Sequence, residues 1–142
     1  MIKRLTLAAV VLAATGSFFV QPSNAADGGG QCGGNLVGYK RIMAGNTVVG
    51  ELQLYYNPAN GNNCASTFHS GPTWGVSLDT GVALYRSSNG QTPTSPAGFE
   101  RQNFRYQAGP IRTDGRNRCI ISGGGITYQG QHYTVYTQAH CK

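Results

Sequence analysis

Over most of its length the chain alternates apolar and polar side chains with a period of two. In residues 49–56, Leu52, Leu54 and Tyr56 fall on one face while Glu51, Gln53 and Tyr55 fall on the other, the pattern of a strand with one face in a core and one in water. The same logic puts Trp74, Val76 and Leu78 on a single dry face, so that the one tryptophan is expected in the core. It groups Phe104, Tyr106 and Ala108 against Arg101, Asn103, Arg105 and Gln107, and Tyr133, Val135 and Thr137 against His132, Thr134 and Tyr136. Turn chemistry separates these runs at Ala44-Gly45-Asn46, Asn60-Gly61, Thr80-Gly81, Asn89-Gly90, Asp114-Gly115 and Gln129-Gly130, where Gly or Asn takes positive φ at little cost. Short amphipathic strands joined by tight turns predict an all-β fold, a small antiparallel β-sandwich or barrel. No helix is expected after residue 25, and residues 87–98, which lack periodicity, are expected to form the longest exposed loop.

The first residues follow a different rule. Lys3 and Arg4 precede an apolar run over residues 5–20, and small residues stand at Ser23 and Ala25. This is the layout of a secretory signal peptide, with cleavage expected after Ala25. The apolar run falls short of the roughly 20 residues that a membrane span needs, so no membrane association is expected once the signal is removed. The organisation read from the chain is therefore a signal peptide over 1–25 and a single secreted β domain over 26–142. Loss of Lys3 and Arg4 lowers the net charge from +6 to about +4. Export argues against nucleic acid as a partner and points the charge toward anionic wall polymers and polysaccharides.

The four cysteines, Cys32, Cys64, Cys119 and Cys141, all follow the cleavage site, in a compartment that oxidises thiols, and two disulfides are expected. Turns centred on Gly45 and Asn60 bring Cys32 and Cys64 to the same end of a three-stranded meander. A turn at Gly130, with one bulge allowed in the run Gly123-Gly124-Gly125, brings Cys141 level with Cys119. The nested pairing of Cys32 with Cys141 and Cys64 with Cys119 stays open at this level. No C-x-x-C pair exists, and no metal or other cofactor is expected.

The groups from which catalysis would have to start, His69, His132 and His140 with Glu51, Asp79, Glu100 and Asp114, are scattered. No G-x-S-x-G elbow or H-E-x-x-H run accompanies them, so no enzymatic activity is expected; Asp79 and Asp114 read as turn residues. For binding, Tyr55 and Tyr136 with neighbouring amides are candidates for a carbohydrate-binding face. Arg101 and Arg105, placed on one strand face, are candidates for holding anionic glycans. The competing reading of those arginines is a solvated face that discourages edge pairing.

Four segments in order, Gly38-Tyr39-Lys40, residues 52–64 as LQLYYNPANGNNC, residues 106–110 as YQAGP, and the run from Cys119 to Cys141, resemble the spore-associated protein A family of filamentous actinobacteria. Family members often carry a Trp before the Gly pair, where this chain has Ile121 and Ser122 before Gly123. The resemblance implies an exported protein found with the spore surface, with no established enzymatic activity and no catalytic residues to carry over. The expected function is a secreted, non-catalytic protein of the spore surface or cell envelope, with spore or cell-wall polymers as partners. The alternatives are a carbohydrate- or cell-wall-binding module and a secreted protease inhibitor presenting the 87–98 loop. Exposed strand edges leave self-assembly open.

Overall fold

Gly45 and Gly130 close two of the hairpins with φ of 60° and 79°, a backbone region that side-chain-bearing residues rarely enter. Between such turns the alternating runs pair into antiparallel sheets. The computed structural model describes residues 31–142; the expected signal segment and the cleavage position after Ala25 lie outside them. The strands are β1 (Asn35–Ala44), β2 (Thr47–Asn57), β3 (Asn62–His69), β4 (Leu78–Ser87), β5 (Ser95–Phe104), β6 (Gln107–Asp114), β7 (Cys119–Tyr128), β8 (Gln131–Tyr136) and the short β9 (His140–Cys141). Sheet A has the order β1-β2-β3-β6 and sheet B the order β5-β4-β7-β8, with β9 also pairing with β7. One 3-10 turn, Gly71–Thr73, is the sole helical element among the described residues. The two sheets pack face to face as a β-sandwich, one of the two arrangements the alternation allowed.

The inward rows supply the core. Leu52, Leu54 and Ala65 of sheet A meet Val82, Leu84, Phe104 and Ile120 of sheet B, and a smaller cluster joins Ile42 and Val49 to Ile126. Two glycines leave no room for a side chain between the sheets. A Cβ on Gly50 would collide with Ile126, and one on Gly124 would collide with the Thr67 hydroxyl and press on Leu52. At the second contact, Thr67 Oγ1 donates a hydrogen bond across the interface to the Gly81 carbonyl at 2.8 Å. This buried bond joins one sheet to the other where no side chain separates them.

Cys32 pairs with Cys64 and Cys119 with Cys141, the pairing favoured by the hairpin reading. The register detail differs from that reading. Gly123 to Tyr128 pair with Tyr136 to Gln131 without a shift, so the glycine run holds no bulge. The extra residue lies in 137–139, where the chain leaves the ladder before β9 pairs Cys141 with Cys119. Two disulfides suit an oxidising, extracellular environment, and no described helix is long and apolar enough to cross a membrane.

Four other expectations are corrected. Thr80-Gly81 is no turn: both residues lie inside β4, flanked by β5 and β7. The 87–98 segment yields a shorter loop over 88–94, because Ser87 ends β4 and Ser95 opens β5. The run through Phe104, Tyr106 and Ala108 is two strands: β5 ends at Phe104, Arg105 and Tyr106 form the corner, and β6 continues in the other sheet. Trp74, expected in the core, is 53% exposed, and Val76 is exposed as well. Their segment is held outside the ladder by the 3-10 turn, in which Thr73 Oγ1 donates to the Val49 carbonyl at 2.6 Å. Trp74 instead packs edge-on against Tyr106, ring centroids 4.8 Å apart.

Two outcomes follow for the oxidised protein. Peptide mapping without reduction recovers Cys32–Cys64 and Cys119–Cys141 as the linked pairs, and replacing the second pair by serines lowers stability by roughly 3 kcal/mol through the freed loop. Thr67→Val, which keeps shape but removes the inter-sheet donor, costs about 1 kcal/mol, whereas Gly124→Ala costs about 1–3 kcal/mol by forcing the sheets apart. Urea titration reads both as midpoint shifts at constant slope.

Candidate functional site

Register decides what shares the outer face of sheet B. Gly81 stands opposite Arg101 of β5 and Gly125 of β7, while Ala83 stands opposite Phe99 and Gly123. On β8, Thr134 faces Gly125 and Tyr136 faces Gly123. The centre of the face therefore carries three glycines and an alanine, and beside it the side chains rise from the flanking strands. The result is a trough of roughly 170 Å³, floored by Gly81, Ala83, Gly123 and Gly125 and walled by Phe99 and Arg101 on one side and His132, Thr134 and Tyr136 on the other.

The bare floor lets the walls lean inward. A Cβ on Gly123 would sit 2.9 Å from Tyr136 Cε1, one on Gly125 2.5 Å from His132 Nε2, and one on Gly81 3.4 Å from the Arg101 stem. Glycine inside a strand marks such a close approach. Tyr85 stands at one end, its ring centroid 6.2 Å from that of Tyr136. Phe99 is 68% and Tyr136 50% exposed, so the trough presents aromatic surface to solvent from both sides.

The other end is polar and fixed. Arg101 grips Asp79 with both arms, Nε to Oδ1 at 2.9 Å and Nη2 to Oδ2 at 2.6 Å, the bidentate geometry that guanidinium favours. Thr127 Oγ1 donates to Asp79 Oδ2 at 3.2 Å and stands 2.8 Å from His132 Nδ1. Because the hydroxyl has one proton and gives it to the carboxylate, His132 Nδ1 is assigned the proton of that contact. The neutral ring then leaves Nε2 as a bare acceptor above Gly125. Burial, followed by the Arg101 charge, pushes the His132 pKa down, which favours this neutral form at pH 7. The Arg101 hydrogen bond holds the Asp79 carboxyl below the usual aspartate range, with burial opposing it.

Of the residues singled out from sequence, Arg101 and Tyr136 meet in this trough. Tyr55 lies on the outer face of the other sheet, where its hydroxyl donates to Gln53 at 2.9 Å and it lines a separate hollow with Ser66 and Phe68. Arg105 sits in the β5–β6 corner and shares no strand face with Arg101. Among the catalytic candidates, His69 is a core residue, with Nδ1 2.8 Å from the Thr73 carbonyl and Nε2 2.7 Å from Thr80 Oγ1. His140 packs against Tyr56, centroids 5.0 Å apart. Asp79 and His132 do converge, at 3.9 Å, but Asp79 is committed to Arg101. Phe99, Gly81, Gly123, Gly125 and Thr127 were not recognised from sequence as site residues. The available signal was a run of three glycines inside the otherwise apolar β7.

The Asp79–Arg101 pair gives a pH test. Its carboxyl titrates lower in the folded than in the unfolded chain, so its contribution to stability is complete above about pH 4 and is lost as pH falls through the folded value. Carboxyl NMR shows Asp79 titrating below the ordinary aspartate range, and Arg101→Gln moves it up; an unmoved Asp79 would contradict the pairing. No protein-family model matches the chain, and no match is found among curated proteins or solved structures.

Proposed function

We propose that this chain is a secreted, non-catalytic protein of the cell envelope or spore surface that acts as a glycan-binding module through the trough on sheet B. The observation that carries the reading is the pairing of exposed aromatic walls with a glycine floor. Sugar rings have apolar C–H faces that pack on aromatic rings and hydroxyls at their edges that need fixed partners. Phe99, Tyr85 and Tyr136 supply the first. Arg101, the Thr134 hydroxyl and His132 Nε2 supply donors and an acceptor whose positions are set before any ligand arrives, which reduces the ordering cost of binding.

Two further points support binding over chemistry. The carboxylate nearest the trough is ionised and held by Arg101, so it is poorly placed to donate a proton, and no second carboxylate lines the trough as acid–base cleavage of a glycoside requires. The trough is also shallow and open along the sheet, a shape suited to a polymer chain lying on the surface. The export-type N-terminus, the two disulfides and the resemblance to spore-associated protein A agree with an envelope location.

The test is retention of the oxidised mature protein on peptidoglycan, chitin, cellulose and intact spores at low and high salt. Retention on at least one of them survives high salt, and Phe99→Ala and Tyr136→Ala each weaken it about tenfold, in line with the loss of one stacking contact and its buried area. Both side chains are exposed, so both variants fold. Retention that disappears with salt, or that ignores both substitutions, would remove the trough as the binding site.

A further inference from the structure

Arg86 occupies an unusual position. The β4–β7 register runs unbroken from Thr80 to Ser87, so the inward row of β4 reads Thr80, Val82, Leu84 and then Arg86. The first three are buried in the core. The fourth places a guanidinium on the core-facing side, opposite Ile120 of β7 and Ser95 of β5. Its Nε is buried and has no hydrogen-bond partner among the described residues. A buried, unpaired donor on a charged group is costly, and the same residue lines an open pocket.

The surroundings say what would meet that donor. Arg86 lines an open pocket of roughly 690 Å³ with Ser88, Thr94, Ser95, Asn117, Arg118, Lys142 and the Cys119–Cys141 disulfide. Three of the lining residues are cationic, four, Ser87 included, carry hydroxyls, and no Asp or Glu lines the pocket. Arg101 pairs with Asp79 and Arg116 with Asp114 at 3.3 Å; neither Arg86 nor Arg118 forms an ion pair among the described residues.

One wall is the 88–94 loop, and it is fastened in place. Asn89 Oδ1 accepts from the Gln91 and Thr92 amides, both at 2.9 Å. Thr94 donates from its amide and its hydroxyl to the Arg86 carbonyl, at 2.8 and 3.0 Å. Through Thr94 the loop is thus tied to the same residue whose side chain lines the pocket.

We propose that this pocket is an oxyanion site for a phosphate or sulfate ester carried on a polymer, with Arg86 and Arg118 as the principal ligands and the Ser88 and Ser95 hydroxyls completing the shell. A tetrahedral oxyanion presents three oxygens to donors arriving from different sides, which matches two guanidiniums and a rim of hydroxyls better than the two oxygens of a carboxylate do. The volume falls in the range of ordinary ligand pockets and leaves room for the polymer on either side of the ester. The site lies at the end of the sandwich and shares no residue with the trough, so it stands or falls independently of the glycan reading.

The experiment titrates the oxidised protein with inorganic phosphate, an oligo(glycerol phosphate), a sulfated oligosaccharide and, as control, acetate, followed by amide and Arg Nε–H NMR. Phosphate- or sulfate-bearing probes shift Arg86 Nε–H and the Ser88 and Thr94 amides, and the tighter of the two oligomers identifies the ester. Arg118→Gln weakens binding about threefold or more and Arg86→Met about tenfold or more, while Phe99→Ala leaves it unchanged. Arg86→Met also unfolds no more easily than the parent in the absence of anion, since it removes an unmatched buried donor; if that variant fails to fold, Arg118→Gln alone carries the comparison. Shifts no larger than those with acetate, or binding that Arg118→Gln leaves intact, would overturn the site.

Discussion

Gly123, Gly124 and Gly125 stand in the middle of β7, and both faces of sheet B depend on them. Gly124 points inward, where its missing Cβ is the space taken by the Thr67 hydroxyl and Leu52. That proximity lets Thr67 reach the Gly81 carbonyl and fixes the spacing of the sandwich at its centre. Gly123 and Gly125 point outward, where the same absence lets Tyr136 and His132 lie across the strand. Glycine weakens a strand by its conformational freedom and by having nothing to pack. Here that loss is offset by β7 being central, paired with β4 along one edge and with β8 and β9 along the other, and by the Cys119–Cys141 disulfide, which ties its first residue to the C-terminal strand.

The charges follow the same division between a rigid frame and presented groups. Arg101 and Asp79 satisfy one another in a two-point contact at the mouth of the trough, an exposed arrangement that adds little to stability but orients the guanidinium. Thr127 links that pair to His132 and sets its tautomer. At the end of the sandwich the pattern reverses: Arg86 is placed by the strand, not by an acid, and its side chain keeps an unmet donor. One arginine is positioned by a carboxylate partner and the other is not.

How much of this was legible in the sequence depends on how local each cause is. The alternation in β2 and β8 was readable because each strand keeps one row more buried than the other: Leu52 and Leu54 are buried, and Tyr136 is exposed. Alternation misled where the chain changed direction without breaking its rhythm. Phe104 and Ala108 are both buried, yet they belong to different sheets, because a two-residue corner preserves the period. Trp74 kept the phase of Leu78 but lies before the strand begins. Thr80-Gly81 has turn-like composition, and only the cross-strand neighbours Arg101 and Gly125 explain a glycine there. The trough was illegible for a related reason. Phe99, Gly123 and Tyr136 are brought side by side by register between strands, which hydrophobic periodicity along one strand does not encode.

The glycine floor also separates the parts of the sheet that can vary from the parts that cannot. Every side chain in contact range of a ligand rises from β5, β8 or the ends of β4 and β7, while the central backbone beneath it is fixed by packing on the opposite face. Exchange of Phe99, Thr134 or Tyr136 therefore leaves the inter-sheet contacts untouched. Recognition on this scaffold can drift quickly under selection while the fold stays constant, and the same property makes the sheet B face a ready surface for engineered specificity.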